Sequence, residues 1–221
     1  MLKRLKQVVL CRESLLLLYA TAVLCALGYH NRFGMAAPEH ALLERWITQG
    51  VLYTVAAALF SALVLRRSPM KLGLELGDAR LWVRYALLFG LVMGAAILAV
   101  TRLDPAFASY YSHHRPAGES ASAFLAYAAC YTVYLFGWEY FYRGFLLFGL
   151  EPRLGDFAAV VQAVPFALLH IGKPELETYS AIAGGVILGV LALRARSLWP
   201  CFLLHAFVAL WLSVCLLHVW R

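Results

Sequence analysis

Apolar runs long enough to cross a bilayer dominate this sequence. They read at about Ser14–Gly28, Trp46–Leu65, Leu81–Thr101, Ser122–Leu150, Phe157–Ile171, Tyr179–Leu193 and Leu198–Val219, joined by short polar connections. A hydrocarbon core of ~30 Å takes ~20 mostly apolar residues per helix, so about seven spans consume nearly all of the 221 residues. The expected fold is all-α: a polytopic transmembrane helix bundle of about seven spans, forming a single integral-membrane domain over residues 1–221. With 63% of residues hydrophobic and only 14% charged, the chain is excluded from the ordinary soluble class, where about a quarter are charged. The alternating strands of an outer-membrane barrel are missing as well.

The net charge of +7 would suit a nucleic-acid partner if the basic residues were spread over a face. Instead they cluster at the ends of apolar runs. Lys3, Arg4, Lys6 and Arg12 precede the first run; Arg66, Arg67, Lys71 and Arg80 follow the second. With the amino terminus inside, eleven Lys and Arg fall in cytoplasmic segments and six in outer ones. By the positive-inside rule the amino terminus is cytoplasmic and the carboxyl terminus outside. The expectation is a multi-pass cell-membrane protein, in a bacterial inner membrane, with the lipid bilayer and not nucleic acid as its surroundings. The basic start, Leu15–Leu27 and Ala20-Thr21-Ala22 have the layout of a signal peptide, but the spans that follow favour a retained first helix. Five scattered cysteines with no C-x-x-C pair make neither a disulfide framework nor a zinc motif.

The fifth and sixth runs have about fifteen apolar residues each, ~22 Å of helix, short of the bilayer core. Gly185-Val186-Ile187-Leu188-Gly189 is a small-xxx-small pattern that lets a neighbouring helix pack closely. Trp46, Trp82, Trp199 and Trp220, near run ends, read as interface anchors. His113-His114 reads as a solvated loop in preference to a metal site.

The chemistry is confined by the scarcity of charge. Eleven of the twelve acidic residues lie in connections, termini or run edges; Glu139 lies deep in Phe136-Gly137-Trp138-Glu139-Tyr140-Phe141-Tyr142-Arg143-Gly144. A carboxylate in hydrocarbon is costly and needs a reason. Arg143 follows by one helical turn, in the favourable order for an ion pair, so a purely structural pair is one reading. His170 and His205 also fall within runs. At the helical rise the three groups lie at about 12–21 Å from the cytoplasmic ends of their helices, so one Glu and two His can meet near mid-membrane. Pro165 frees a backbone carbonyl beside them, a device found next to polar cavities.

Trp138-Glu139-Tyr140-Phe141-Tyr142-Arg143-Gly144, Phe166-Ala167-Leu168-Leu169-His170 and His205 together resemble the CAAX-protease and bacteriocin-processing family. Its motifs read roughly E-E-x-x-x-R, F-x-x-x-H and H-x-x-x-N/D. The resemblance covers a core of about residues 120–215 and implies an intramembrane endopeptidase with Glu139, Arg143, His170 and His205 at its site. Two positions depart from the pattern. Trp138 stands where the first Glu is usual, and Ala209 stands where Asn or Asp is usual. The single Glu is similar to that of myxosortase-like bacterial variants.

The resemblance implies hydrolysis of a membrane-anchored protein substrate by water activated at Glu139, with the two histidines orienting water and polarising the scissile carbonyl. It implies no cofactor and no metal. Zinc held by Glu139, His170 and His205 is the minority alternative, since such a set leaves an open fourth position. A polar cavity is expected between the fourth, fifth and seventh spans. The competing class is a non-catalytic immunity or scaffold protein of the same fold.

Overall fold

A computed structural model describes residues 1–34 and 40–219, without the side chains of residues 2–5, 30–34, 40 and 41; Trp220 lies outside it. The helices are α1 (Leu2–Val9), α2 (Arg12–Gly34), α3 (His40–Leu63), α4 (Ala79–Leu103), α5 (Pro105–Tyr110), α6 (Ala121–Glu139), α7 (Phe148–Leu154), α8 (Ala158–Leu168), α9 (Glu175–Ala195) and α10 (Trp199–Val219). No strand occurs among the described residues. Local sequence sets several starts: Asp78, Asp104 and Ser120 accept backbone N–H bonds at the first turns of α4, α5 and α6, satisfying donors that a helix start leaves free.

Six segments are long and apolar enough to cross a membrane: Arg12–Tyr29, Leu42–Leu63, Ala79–Leu103, Ala121–Leu168, Glu175–Ala195 and Trp199–Val219. The fold is therefore the expected all-α polytopic bundle; Ala121–Leu168, 48 residues long, holds both the fourth and the fifth expected runs. The fifth contains α8, of 11 residues and ~16 Å, shorter than the bilayer core, as its sequence implied. Gly155, at φ +56°, turns the chain back ahead of it, a conformation that glycine adopts without penalty. At its far end the N–H groups of His170 and Ile171 bond the carbonyls of Ala167 and Leu168, tightening the last turn.

Small residues set the closest packing. Gly185 and Gly189 of α9 face Ala163 and Ala159 of α8, where an added Cβ would meet a neighbour at 2.9 Å. The small-xxx-small stripe is thus a packing seam, as expected. Between α6 and α7 the backbone is a π-helix over Tyr140–Leu147, all eight residues buried. Gly144 lies in it, and a Cβ there would approach the Leu72 carbonyl oxygen to 2.9 Å.

Basic segments gather at one end of the bundle. Arg12 donates to the Leu65 carbonyl and Arg67 to that of Phe148; Asp78 N–H bonds Ala195 and Leu198 N–H bonds Gly73. Arg194 pairs with Asp156 and Arg196 with Glu151. At the other end two readings are corrected. Trp46 is no interface anchor: it is buried and stacks on Tyr131 at 4.3 Å. His114 is not solvated but buried. Ser213 donates to the Ala209 carbonyl, the Tyr127 hydroxyl lies 2.5 Å from Ser213 Oγ, and His114 Nδ1 lies 3.0 Å from that hydroxyl. Since the Ser213 hydrogen is committed, the chain of donation runs from His114 through Tyr127 to Ser213.

Candidate active site

Glu139 closes α6 and Arg143 sits one turn on, inside the π segment, both with no exposed surface. Arg143 Nη1 donates to Glu139 Oε1 at 3.0 Å. The same oxygen lies 2.7 Å from Nδ1 of His205 on α10, and the His205 side chain is 19% exposed. A π-helical turn is rare and recurs at functional sites; here it carries the arginine that faces the buried Glu139 carboxylate.

His170 lies just beyond α8. Its Nδ1 is 2.8 Å from the Phe166 carbonyl oxygen, four residues back, so a backbone group of its own helix orients the ring. Among the described residues no hydrogen bond joins His170 to Glu139. What brings Arg143, His170 and His205 together is the Phe166 ring. The Arg143 guanidinium lies over it at 4.0 Å, and its centroid is 4.8 Å from that of His170 and 6.2 Å from that of His205. Phe166 is the site neighbour that reading the histidines and carboxylates alone leaves out. Its signal was its place four residues before a membrane histidine.

A cavity of about 220 Å³ opens beside this cluster, with both His170 and His205 in its wall. It runs where α6, the end of α8 and α10 meet, as expected, and reaches Leu24, Leu27 and Gly28 of α2 and Tyr53 of α3. The walls combine aromatic and polar groups, with Tyr110, Tyr131, Tyr134, Trp138 and Lys173. Lys173 is bound to Glu177 at 2.7 Å, and Glu177 also accepts from the Tyr111 hydroxyl. Glu139 and Arg143 do not line the cavity; Glu139 meets it through His205.

The two departing positions have distinct places. Trp138 is buried, forms part of the cavity wall and meets the His170 ring edge-on at 6.2 Å. Ala209 packs with Leu135 and Ala206 and offers only its carbonyl, which takes the Ser213 hydroxyl. Among the described residues no group of three His, Cys, Asp or Glu side chains is arranged to hold a metal ion, and the Glu139, His170 and His205 set forms no such group.

Residues 120–211 match the family model of type II CAAX prenyl endopeptidase Rce1-like proteins. No curated protein matches the chain, and no solved structure does. The matched stretch contains Glu139, Arg143, Phe166, His170 and His205 together with the cavity wall from Tyr131 to Trp138. It supports the CAAX-protease and bacteriocin-processing family, a family of proteases.

Proposed function

We propose that this protein is an intramembrane endopeptidase that hydrolyses peptide bonds of membrane-anchored protein substrates. The observation that carries the reading is the Glu139–His205 contact of 2.7 Å at the edge of a cavity that a second histidine also lines. Hydrolysis needs a proton acceptor for water, a proton for the leaving amine and a chamber for the peptide bond. The carboxylate, the two imidazoles and the cavity supply these parts without a metal. Arg143, held between Glu139 and the Phe166 ring, balances the carboxylate's charge and fixes the helix turn that bears it.

Trp138 in place of a first glutamate is read as the single-Glu, myxosortase-like arrangement, with the indole forming wall where a second acid would stand. The basic end of the bundle is assigned to the cytoplasm on the positive-inside rule, with the amino terminus inside and the protein multi-pass in the cell membrane.

The test is cleavage of membrane-anchored reporters co-expressed with wild type, Glu139→Ala, His170→Ala and His205→Ala. Cleavage by wild type, strongly reduced in all three variants, is expected. Equal processing by all four would reject the protease and favour a scaffold.

A further inference from the structure

Both site histidines are anchored through the same ring nitrogen to unlike partners. From this we infer that His205, and not Glu139, takes the proton from the attacking water, with Glu139 as its positioning residue. The inference rests on the endopeptidase reading above. The Phe166 carbonyl oxygen can only accept, so His170 carries its hydrogen on Nδ1, at 2.8 Å, and its neutral ring offers Nε2 as an acceptor. His205 directs Nδ1 at Glu139 Oε1, at 2.7 Å; a carboxylate also accepts, so its hydrogen is on Nδ1 too. Both rings line one cavity and flank one phenylalanine. A water held in that cavity would give one hydrogen to each Nε2.

Charge separates the two histidines. An imidazolium at His205 forms against a carboxylate, in a charge-assisted hydrogen bond that strengthens as the ring gains its proton. One at His170 would form against a neutral carbonyl, with the Lys173 ammonium three residues on. Glu139 bonds His205 and Arg143 bonds the same carboxylate oxygen, while His170, Lys173, Tyr131 and Tyr134 share its cavity. Glu139 itself does not line that cavity. It has no exposed surface, its Oε1 already receives Arg143 and His205, and its Oε2 is sealed from solvent.

In the step, His205 Nε2 takes a proton as the water oxygen bonds to the scissile carbonyl carbon and the π electron pair moves to the carbonyl oxygen. When that pair returns, the C–N bond breaks and the Nε2 proton passes to the leaving nitrogen. The products are a carboxyl terminus and an amine, and His205 is neutral again. The Nδ1 hydrogen stays in place throughout, as in other carboxylate–histidine pairs.

The test compares cleavage of one membrane-anchored reporter by wild type, Glu139→Gln and His205→Ala, with and without added imidazole. Expected is a Glu139→Gln rate about 10⁴-fold below wild type yet above background. His205→Ala is expected at background and partly rescued by imidazole, with rescue lost when Glu139→Gln is added. Residual cleavage by His205→Ala, beside Glu139→Gln at background and no imidazole rescue, would assign the proton to Glu139 and overturn the inference. Histidine-selective ¹⁵N NMR of the wild type checks it without variants: neutral His205 protonated on Nε2 also overturns it. A wild type that cleaves no reporter removes the endopeptidase reading itself, which the reversed variant order does not.

Discussion

Gly137 of α6 and Gly50 of α3 meet backbone to backbone: a Cβ on Gly137 would lie 2.2 Å from the Gly50 carbonyl oxygen, and one on Gly50 would lie 2.4 Å from that of Val133. This contact sets the spacing of the two helices just before Glu139. Gly137→Ala is expected to lower stability by about 1–3 kcal/mol, since the neighbour is rigid backbone. Gly184→Ala, with nothing within 4 Å of its Cβ position, is expected to be neutral or slightly stabilising. Thermal unfolding of the purified variants checks this, and equal midpoints for both would contradict the contact.

The buried Glu139–Arg143 pair predicts an asymmetry between single and double variants. Arg143→Met strands a carboxylate that only His205 then partners, at a cost of about 3–5 kcal/mol. Glu139→Gln/Arg143→Met removes both charges and is expected to recover a large part of that loss. A double-mutant cycle on unfolding reads the coupling; additive losses would show that the pair is not coupled.

Phe166→Leu keeps an apolar side chain but removes the ring beneath Arg143 and beside both imidazoles. The lost cation–π contact amounts to about 1–2 kcal/mol in a buried setting. Reporter cleavage is expected to fall about tenfold or more, while the His170 bond to the residue 166 carbonyl persists because it uses backbone. Unchanged cleavage would dismiss the ring as the platform of the site.

Burial, reinforced by His113 and Lys173, pushes the His114 pKa down from 6.5 to about 3. The folded protein then binds fewer protons here than the unfolded chain between about pH 6.5 and 3, so stability falls as pH drops through that window. From pH 6.5 to 5 the loss is about 2 kcal/mol. Unfolding midpoints measured from pH 8 to 5 are expected to drop more in wild type than in His114→Gln. Parallel curves would show that His114 is not the group responsible.

Much of this architecture is written in simple patterns. Apolar run length gives the helices, Lys and Arg at run ends give one common basic face, and Glu139 with Arg143 follows from spacing and the cost of a membrane carboxylate. His205 was legible for the same reason. The π segment was not, because no residue type marks it: Gly144 has to be seen against the Leu72 carbonyl before the altered winding makes sense. The buried state of His114 was hidden too, since part of its cover comes from Trp46, distant in sequence.

The brevity of α8 has a chemical consequence. The His170 N–H bonds Ala167, which leaves the Phe166 carbonyl for the ring of His170. Had the helix continued regularly, the backbone N–H of residue 170 would have shared that carbonyl with the ring, since an α-helix bonds each N–H four residues back. Where a helix stops thus leaves one acceptor to a side chain alone, and the turn that ends α8 favours the Nδ1–H tautomer of His170.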